Sequence, residues 1–568
     1  MPLHQYDYLF AIGTIFAGLD AWNIGANDVA NSWATSVASQ SVTYLQAMVL
    51  ASIMEFAGSV GVGARVADTI RTKVVDTSLF KADPEMLMLG MVCAVVASSL
   101  YLTLATRIGL PVSTTHSIMG GVIGMGVAAV GADGVQWVGK GPGTGKINSG
   151  VVQVFMAWII APCLSAAFAS IIFLITKYGV MLRKNPVWKA FIYVPVYFGL
   201  AASLLTMLLL WKGGSYKITL SSGAIAGVIV AVGFGWALLM CVTLMPWLYR
   251  VVICNDWELR WYHIPLGLLL LRRGTPPAPP RELTPADSDE GATAKEGLSE
   301  KKAVQSGDVE AAAADSGENN SAYNNSPLAN FRKPHKSLVG PKPEGKWYKG
   351  AVLFWYLKWS VLHGIDQDVV NLEGQKSALA GGVEEIHSHA TRYDTRAEYM
   401  YSFLQVMTAA TASFTHGAND IANAIGPYAT VYEIWKEGVL PAAGKAKVPT
   451  WILVYGGAML CLGVWTYGYN IMRNLGNRLT LQSPSRGFSM ELGSAITVIL
   501  ATRLKLPVST TQCITGATVG VGLCSGTWRT VNWRMVAWIY AGWIITLPVT
   551  GIISGCLMGI IINAPRWD

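Results

Sequence analysis

The chain has 568 residues, of which 52% are hydrophobic and only 13% are charged. Soluble globular proteins carry roughly 25% charged residues, so this composition excludes a large soluble enzyme and predicts a polytopic membrane protein. The net charge is +8. Many of the basic residues lie in loops, which suits contact with anionic lipid headgroups and gives no reason to expect a nucleic-acid partner.

Apolar stretches of about 20 residues or more, the length that crosses a bilayer, begin close to the N-terminus. In the first half we predict membrane segments at 7–33, 43–64, 86–108, 150–178, 187–212 and 220–249. The stretch from Pro111 to Gly131 is rich in small residues and is opened by a proline. We predict a re-entrant helical hairpin there, because broken backbone at membrane depth needs protein cover.

The composition changes sharply after Val252. From Thr275 to Gly345 the chain is rich in Pro, Ala, Ser, Asp, Glu and Lys and poor in aromatic residues, which is typical of a disordered linker. Residues 351–364 are apolar but too short for a span, so we predict a helix that lies at the membrane interface. Basic residues that flank the linker favour the cytosolic side. The predicted domains are a membrane block at 1–250, a linker at 251–394 and a second membrane block at 395–568.

The second block has fewer predicted spans than the first. We expect segments at 400–432, 450–472, 488–504 and 533–563, and a second Gly-rich hairpin that begins at Pro507. Both blocks together predict an all-α membrane protein with about 10–12 membrane segments.

Two polar motifs occur twice, in the same order. Gly25–Asn31 (Gly-Ala-Asn-Asp-Val-Ala-Asn) recurs as Gly417–Asn423, and Pro111–Thr115 (Pro-Val-Ser-Thr-Thr) recurs as Pro507–Thr511. An ionised Asp in a membrane segment costs roughly 2.5–3.5 kcal/mol, so a chain that accepts this cost twice uses both copies for one purpose. Two halves that each carry a broken polar segment are typical of secondary transporters with inverted repeats and a site near the midplane.

The Pro-Val-Ser-Thr-Thr motifs have the composition of helix N-termini. Proline suits the first helical turn, and Ser or Thr caps free backbone N–H groups. Such a terminus also binds anions, so two of them face to face could surround a tetrahedral oxyanion. The alternative is that these residues only cap helices. The predicted phosphate contacts are Ser113, Thr114, Thr115, Ser509, Thr510, Thr511, Asn27, Asp28, Asn419 and Asp420.

The Gly-Ala-Asn-Asp motifs offer oxygen ligands of the kind that Na⁺ accepts. Two Asn residues four apart share a helix face in each copy. Gly25 and Gly417 are expected to let the backbone break and expose carbonyl groups. The alternative, polar contact between packed helices, explains an Asn better than it explains a paired Asp. The predicted Na⁺ ligands are Asn27, Asp28, Asn31, Asn419, Asp420, Asn423, Thr115 and Thr511.

The two kinds of site depend on each other. Asp28 or Asp420 beside a phosphate would repel it by about 1–4 kcal/mol at 4 Å, depending on the effective dielectric. A cation between them reverses the sign of that energy. We therefore expect anion binding to require a co-bound cation.

Three further acids lie within apolar segments. Glu55 lies in the middle of its segment and is expected to be functional, whereas Glu491 is placed in the first turn of its predicted helix, where the helix dipole stabilises an acid anyway. Asp20 is treated as secondary, because the matching position in the second half is Ala412.

Two histidines also fall within or beside the motifs. His116 matches Gln512 in the other half, and His416 matches Ile24. Because neither histidine is repeated, we expect ordinary packing or hydrogen bonding from them and no proton relay.

On these motifs, and on Tyr467–Asn470 and Gln482–Arg486, the sequence resembles the inorganic phosphate transporter family, above all its fungal sodium–phosphate permease branch. The resemblance covers roughly 1–250 and 395–568. It implies an inverted-repeat fold, phosphate–cation symport, a dimer, the plasma membrane as location, and roles for Glu55 and Glu491.

The sequence thus predicts a secondary symporter for inorganic phosphate, driven by Na⁺ through alternating access, with no enzymatic activity and no cofactor other than the co-transported ion. A proton-coupled carrier of phosphate or metal–phosphate is the nearest alternative. An anion channel would explain the hairpins but does not need buried acids beside an anion site. An intramembrane aspartyl protease ranks far lower, because no acid–nucleophile arrangement surrounds the two Asp residues.

Overall fold

The computed structural model describes residues 3–64, 75, 77–138, 150–212, 220–276, 337–370, 382–440, 448–503 and 508–564. Within these ranges the chain is helical or irregular, with two isolated β-bridges and no strand, which confirms the all-α prediction. Pro507 and most of the predicted disordered linker (277–336) lie outside the described residues.

The helices of the first half run from the N-terminus to about residue 242. They are α1 (Asp7–Ala38), α2 (Tyr44–Val62), α3 (Pro84–Arg107), α4 (Thr114–Val130), α5 (Val151–Thr176), α6 (Pro186–Lys212) and α7 (Ser222–Val242). A short helix α8 (Leu244–Leu248) and helical turns at Tyr249–Ile253 and Trp261–Arg272 follow.

The helices of the second half begin after the linker. They are α9 (Gly350–Leu362), α10 (Val383–Ser388), α11 (Thr395–Met400), α12 (Ser402–Glu437), α13 (Thr450–Thr466), α14 (Tyr469–Leu475), α15 (Pro484–Arg503), α16 (Thr510–Ser525) and α17 (Trp533–Asn563). Further short helical turns lie at His4–Tyr6, Thr77–Phe80, Ala132–Gly134, Lys177–Met181 and Trp528–Thr530.

Seven of the described helices are long and apolar enough to cross a membrane, and an eighth span results if α13 and α14, bent by 70°, count as one. The protein is therefore a polytopic membrane protein. Two more helices have sufficient length, since α12 has 36 residues and α15 has 20. Both are more polar than the seven, because α12 carries the Asn-Asp motif and α15 carries Arg486 and Glu491.

Two compact units make up the chain. One comprises 1–237 and 335–568, and the other comprises 238–334. In the smaller unit Arg250 is paired with Asp256 at 2.9 Å, which compensates two buried charges. The predicted division at 250 and 394 stays a prediction. The short apolar helix expected at 351–364 is present as α9.

The glycine-rich stretch after Pro111 folds differently from the hairpin we expected there. Thr114–Val130 is one unbroken helix, and the chain reverses earlier, at Ile108–Ser113, so that α4 packs against α3. Gly109 permits this turn with φ +73°. The hairpin is therefore formed by α3 and α4 together.

The glycines of α4 allow close contact with a neighbouring helix and do not form a second turn. A Cβ at Gly124 would lie 1.9 Å from the Gly551 carbonyl oxygen of α17, and a Cβ at Gly120 would lie 2.4 Å from that of Leu547. In the second half, a Cβ at Gly516 of α16 would lie 2.3 Å from the Pro162 carbonyl oxygen of α5. Small residues allow backbones in membranes to approach in this way.

The expected backbone break at the two motif glycines is also wrong. Both α1 and α12 run through Gly25 and Gly417 as continuous helices. A Cβ at Gly25 would lie 2.0 Å from the Leu460 carbonyl oxygen, and one at Gly417 would lie 2.3 Å from that of Glu55. The motif glycines therefore let α1 contact α13 and α12 contact α2, which joins the two halves of the chain.

Candidate functional site

The Asn at the end of each Gly-Ala-Asn-Asp motif reaches the hydroxyls of the other half. Asn31 Nδ2 on α1 donates to Thr511 Oγ1 at 2.8 Å, at the start of α16. Asn423 Nδ2 on α12 donates to Thr115 Oγ1 at 3.1 Å and to Thr114 Oγ1 at 3.2 Å, at the start of α4. The predicted anion and cation elements therefore meet, and each half completes the other.

Each motif Asp, in contrast, is bonded to the threonine that begins the short helix of its own half. Thr114 Oγ1 donates to Asp28 Oδ2 at 3.0 Å, and Thr510 Oγ1 donates to Asp420 Oδ2 at 3.0 Å. Thr511 Oγ1 also lies 3.3 Å from Asp28 Oδ1. Both carboxylates are only 1% exposed. The repeat seen in the sequence is thus reproduced in the hydrogen bonds.

His416 lies between three acids from three helices. Its Nε2 atom is 3.2 Å from Asp28 Oδ2 and 3.1 Å from Asp420 Oδ2, and its Nδ1 atom is 2.7 Å from Glu55 Oε2. We expected packing or hydrogen bonding from this residue, and it makes hydrogen bonds, but the expectation did not include its position among three acids. The available signal was the i, i+4 spacing of His416 and Asp420, which places both on one helix face.

The other histidine has the role that we expected. His116 is fully buried, and Trp158 Nε1 lies 3.1 Å from its Nε2 atom. The two rings make an edge contact with centroids 5.6 Å apart. No acid contacts His116 among the described residues, so it packs beside the site without joining it.

The cluster around His416 has an excess of negative charge. When Asp28, Asp420 and Glu55 are ionised and His416 is charged, three negative charges and one positive charge leave a net charge of −2. Within the described residues no Lys or Arg forms an ion pair with these acids. Ionised acids buried in this way require further positive charge.

A bound cation could supply this positive charge, and several atoms of the cluster could bind one. One ligand atom each from Asp28, His416 and Asp420 lies within 4.8 Å of the others. Asn31 Oδ1 is buried and accepts no hydrogen bond from the described residues. A small pocket borders Asn31, His416 and Thr510. Carboxylate and amide oxygens of this kind suit a hard cation such as Na⁺.

The first Asn of the Gly-Ala-Asn-Asp motif has different hydrogen-bond partners in the two halves. Asn27 donates to Thr106 Oγ1 and the Leu110 carbonyl and accepts from the Val112 N–H at 3.2 Å, so it fixes the turn between α3 and α4. Asn419 is partly buried and donates to Asp420 Oδ1 at 2.9 Å. The turn that would correspond to Leu110 lies outside the described residues.

The serines of the two Ser-Thr-Thr motifs both precede a helix. The oxygen of Ser113 accepts the His116 N–H at 3.2 Å and so caps α4. Its own hydroxyl hydrogen can still be donated. Ser509 precedes α16 with an extended backbone and makes no capping bond to it. Both serines are buried beside the threonines.

Glu491 belongs to a second buried cluster. Thr35 Oγ1 donates to it at 2.5 Å and Ser36 Oγ at 2.8 Å, both from α1, while Gln405 and Thr408 donate from α12. The helix of Glu491 begins at Pro484, not near 488, so the acid lies beyond the first turn. The dipole argument used for it is therefore wrong, and hydrogen bonds stabilise it instead.

A helical membrane protein with two copies of a buried polar motif, each completed by the other copy, belongs to the class of secondary transporters. A sequence model described as the phosphate transporter family matches residues 24–554. The chain therefore belongs to the phosphate transporter family, whose members are transporters and not enzymes.

Individual relatives agree with this assignment. The phosphate-repressible phosphate permease pho-4 of Neurospora crassa is 69% identical, over 100% of this chain and 99% of that protein. The sodium-dependent phosphate transporter 1 of Mus musculus is 27% identical, over 98% of this chain and 96% of that protein. A solved structure titled as the sodium-dependent phosphate transporter has the same fold, with a TM-score of 0.62, 24% identity and coverage of 98% of this chain and 100% of that one.

Proposed function

We propose that this protein carries inorganic phosphate across the membrane together with Na⁺, as a secondary symporter with alternating access. The proposal rests on two reciprocal hydrogen bonds between the halves of the chain. Asn31 donates to Thr511, and Asn423 donates to Thr115. These bonds support the proposal because Asn31 and Asn423, the proposed cation ligands, contact the helix starts that we propose to bind the anion. The mouse relative, a sodium-dependent phosphate transporter, supports Na⁺ as the coupled ion.

Phosphate is held by the helix starts of α4 and α16. Their free N–H groups and the positive ends of their dipoles favour an anion. Hydroxyl groups line both sides, from Ser113, Thr114, Thr115, Ser509, Thr510 and Thr511. The hydroxyls of Thr114 and Thr510 donate to the two acids, and they turn to phosphate when cations bind those acids. Asn27 supports this arrangement by fixing the turn before α4, and Asn419 by orienting Asp420.

Na⁺ provides the positive charge that the acids lack. With a net charge of −2 on the cluster, phosphate is repelled until cations bind beside Asp28 and Asp420. Asn31 and Asn423 complete the cation ligands, with Thr115 and Thr511 at the boundary to phosphate. Coupling then follows from electrostatics, because phosphate is not stable in the site until Na⁺ is bound.

The repeats supply the moving parts. We propose that α1–α4 and α12–α16 are inverted copies whose relative movement opens the site to alternate sides. If α12 and α15 are added to the eight spans, ten segments cross the membrane. The short helices α4 and α16 are re-entrant arms, and with them the number of membrane segments is twelve. By family resemblance the protein is a plasma-membrane homodimer with a cytosolic linker. Exposed Phe354 and Leu357 suit α9 to the membrane interface.

A proton-coupled carrier is the second candidate, favoured by the contact of His416 with three acids, since an imidazole can carry a proton. The two are separated by uptake of labelled phosphate into proteoliposomes. We expect saturable uptake with an inward Na⁺ gradient and little with a proton gradient alone. Uptake driven equally by protons without Na⁺ supports the second candidate, and uptake without saturation or cation dependence supports a channel.

A further inference from the structure

A line of polar side chains connects α1 with α3 and leads away from the central site. Asn27 Nδ2 donates to Thr106 Oγ1 at 3.0 Å. One turn earlier, Asn23 Nδ2 donates to Thr103 Oγ1 at 2.9 Å and to the Ser99 carbonyl at 3.1 Å. Because Asp20, Asn23 and Asn27 are three and four residues apart, they share one face of α1. Asp20 is the last polar residue of this line.

Asp20 has no compensating partner. It is fully buried, and neither carboxylate oxygen makes a hydrogen bond with any described residue. The hydroxyl groups of Ser98 and Ser99 lie beside it. The Ser99 hydroxyl, however, is directed to the main-chain carbonyls of Phe16 and Val95, at 2.9 and 2.8 Å. Asp20 therefore competes with these two carbonyls for the single proton of Ser99.

The other hydroxyl is engaged as well. Ser98 Oγ lies 3.0 Å from Ser117 Oγ on α4, where either oxygen can be the donor. The carboxylate oxygens therefore lie beside hydroxyl groups that are shared with other acceptors, and the described residues provide no positive charge there. A small cation resolves this arrangement, because it accepts all of these oxygens as ligands.

We propose that Asp20, with the hydroxyls of Ser98, Ser99 and Ser117, forms an additional site for a monovalent cation of the size of Na⁺. Asp20 precedes Asp28 by eight residues, or about 12 Å along the helix axis, so the site is separate from the central cluster. The matching position in the second half is Ala412, so the second half has no counterpart of this acid. The proposal rests on Na⁺ as the coupled ion.

Equilibrium binding of ²²Na⁺ to the full chain in lipid nanodiscs tests the proposal. We expect Asp20→Asn to bind one Na⁺ fewer per chain at saturation than the unaltered protein. Asp7→Asn is the matched control, because Asp7 is an exposed acid on the same helix and should leave the number unchanged. Equal Na⁺ numbers for Asp20→Asn and the unaltered protein would overturn the proposal and indicate a protonated carboxyl group.

A second variant covers the case in which Asp20→Asn does not fold. Ser99→Ala keeps the acid and removes one ligand, so we expect the Na⁺ affinity of one site to fall about tenfold; an unchanged affinity contradicts the site. Labelled phosphate binding at saturating Na⁺ separates this outcome from failure of the symport proposal. Phosphate binding should persist in Asp20→Asn and in Ser99→Ala. Phosphate binding that does not respond to Na⁺ in the unaltered protein would refute Na⁺ coupling itself.

Discussion

Asn31 of α1 donates its side-chain amide to Thr511 of α16 at 2.8 Å, although 480 residues separate the two positions. The same bond recurs in mirror order between Asn423 of α12 and Thr115 of α4, at 3.1 Å. Neither half of the chain therefore forms this hydrogen-bonded cluster alone. A movement of one half against the other must break or remake these two bonds, which links the geometry of the site to the conformational change.

This relationship predicts matched effects at the two asparagines. Each hydrogen bond of this kind contributes about 0.5–1.5 kcal/mol, so we expect Asn31→Ala and Asn423→Ala each to raise the Na⁺ concentration for half-maximal uptake by roughly 3–10-fold. Proteoliposome uptake over a series of Na⁺ concentrations measures the change. Asn563→Ala is the control, because that exposed amide only bonds Gly559 within its own helix. A large loss in one variant and none in the other would contradict the shared site.

The contacts of His416 predict that its substitution affects transport differently from substitution of the two asparagines. His416→Gln removes the imidazole that can carry charge among three acids, so we expect phosphate uptake to fall at least tenfold and Na⁺ to stabilise the variant more than it stabilises the unaltered protein. Uptake and Na⁺-dependent thermal unfolding measure both effects.

The control for that variant comes from the repeat itself. His116→Gln introduces the residue that already stands at the matching position 512, and His116 contacts Trp158 but none of the acids. We expect it to retain uptake. Equal losses in both variants would show that any buried histidine matters for folding, and the specific role of His416 would then be rejected.

The sequence was sufficient to predict the paired motifs. Their repetition required a common purpose, and in the structure the two kinds of motif meet, with Asp28, Asn31 and Thr511 in contact. His416 could not be found in this way, because it has no repeat partner. Its neighbours come from α1, α2 and α12, and only tertiary packing determines that these three helices meet.

The two structural predictions that were wrong, the hairpin within 111–131 and the backbone break at the motif glycines, both depend on glycine. The same residue permits a turn, a backbone break or close helix contact, and sequence alone does not distinguish these uses. Gly109 forms a turn, whereas Gly124 and Gly25 lie in continuous helices against neighbouring backbone. The expected hairpin and break were therefore placed wrongly, although the helix content was right.

Close backbone contact at Gly25 predicts a stability effect that is separate from ion binding. In Gly25→Ala the new methyl group would meet the Leu460 carbonyl at 2.0 Å, so α1 and α13 must separate. Overpacking of this kind costs about 1–3 kcal/mol, and we expect a lower unfolding temperature in detergent with or without Na⁺. Gly559→Ala, where nothing lies within 4 Å, is the control and should unfold like the unaltered protein. An unchanged unfolding temperature for Gly25→Ala would restore a role for this glycine in ion binding.

Glu491 provides the last prediction, because its carboxylate joins α15 to α1 and α12. In Glu491→Gln an amide replaces one oxygen that accepts from hydroxyl donors such as Thr35 and Ser36. Hydrogen bonds to a charged group contribute about 1.5–3 kcal/mol, so losing one or two should lower both thermal stability and uptake. Glu384→Gln, an exposed acid on α10, is the control. If Glu491→Gln unfolds at the same temperature but transports no phosphate, the residue acts in the transport cycle and not only in joining the helices. Unchanged stability together with unchanged uptake would refute both roles.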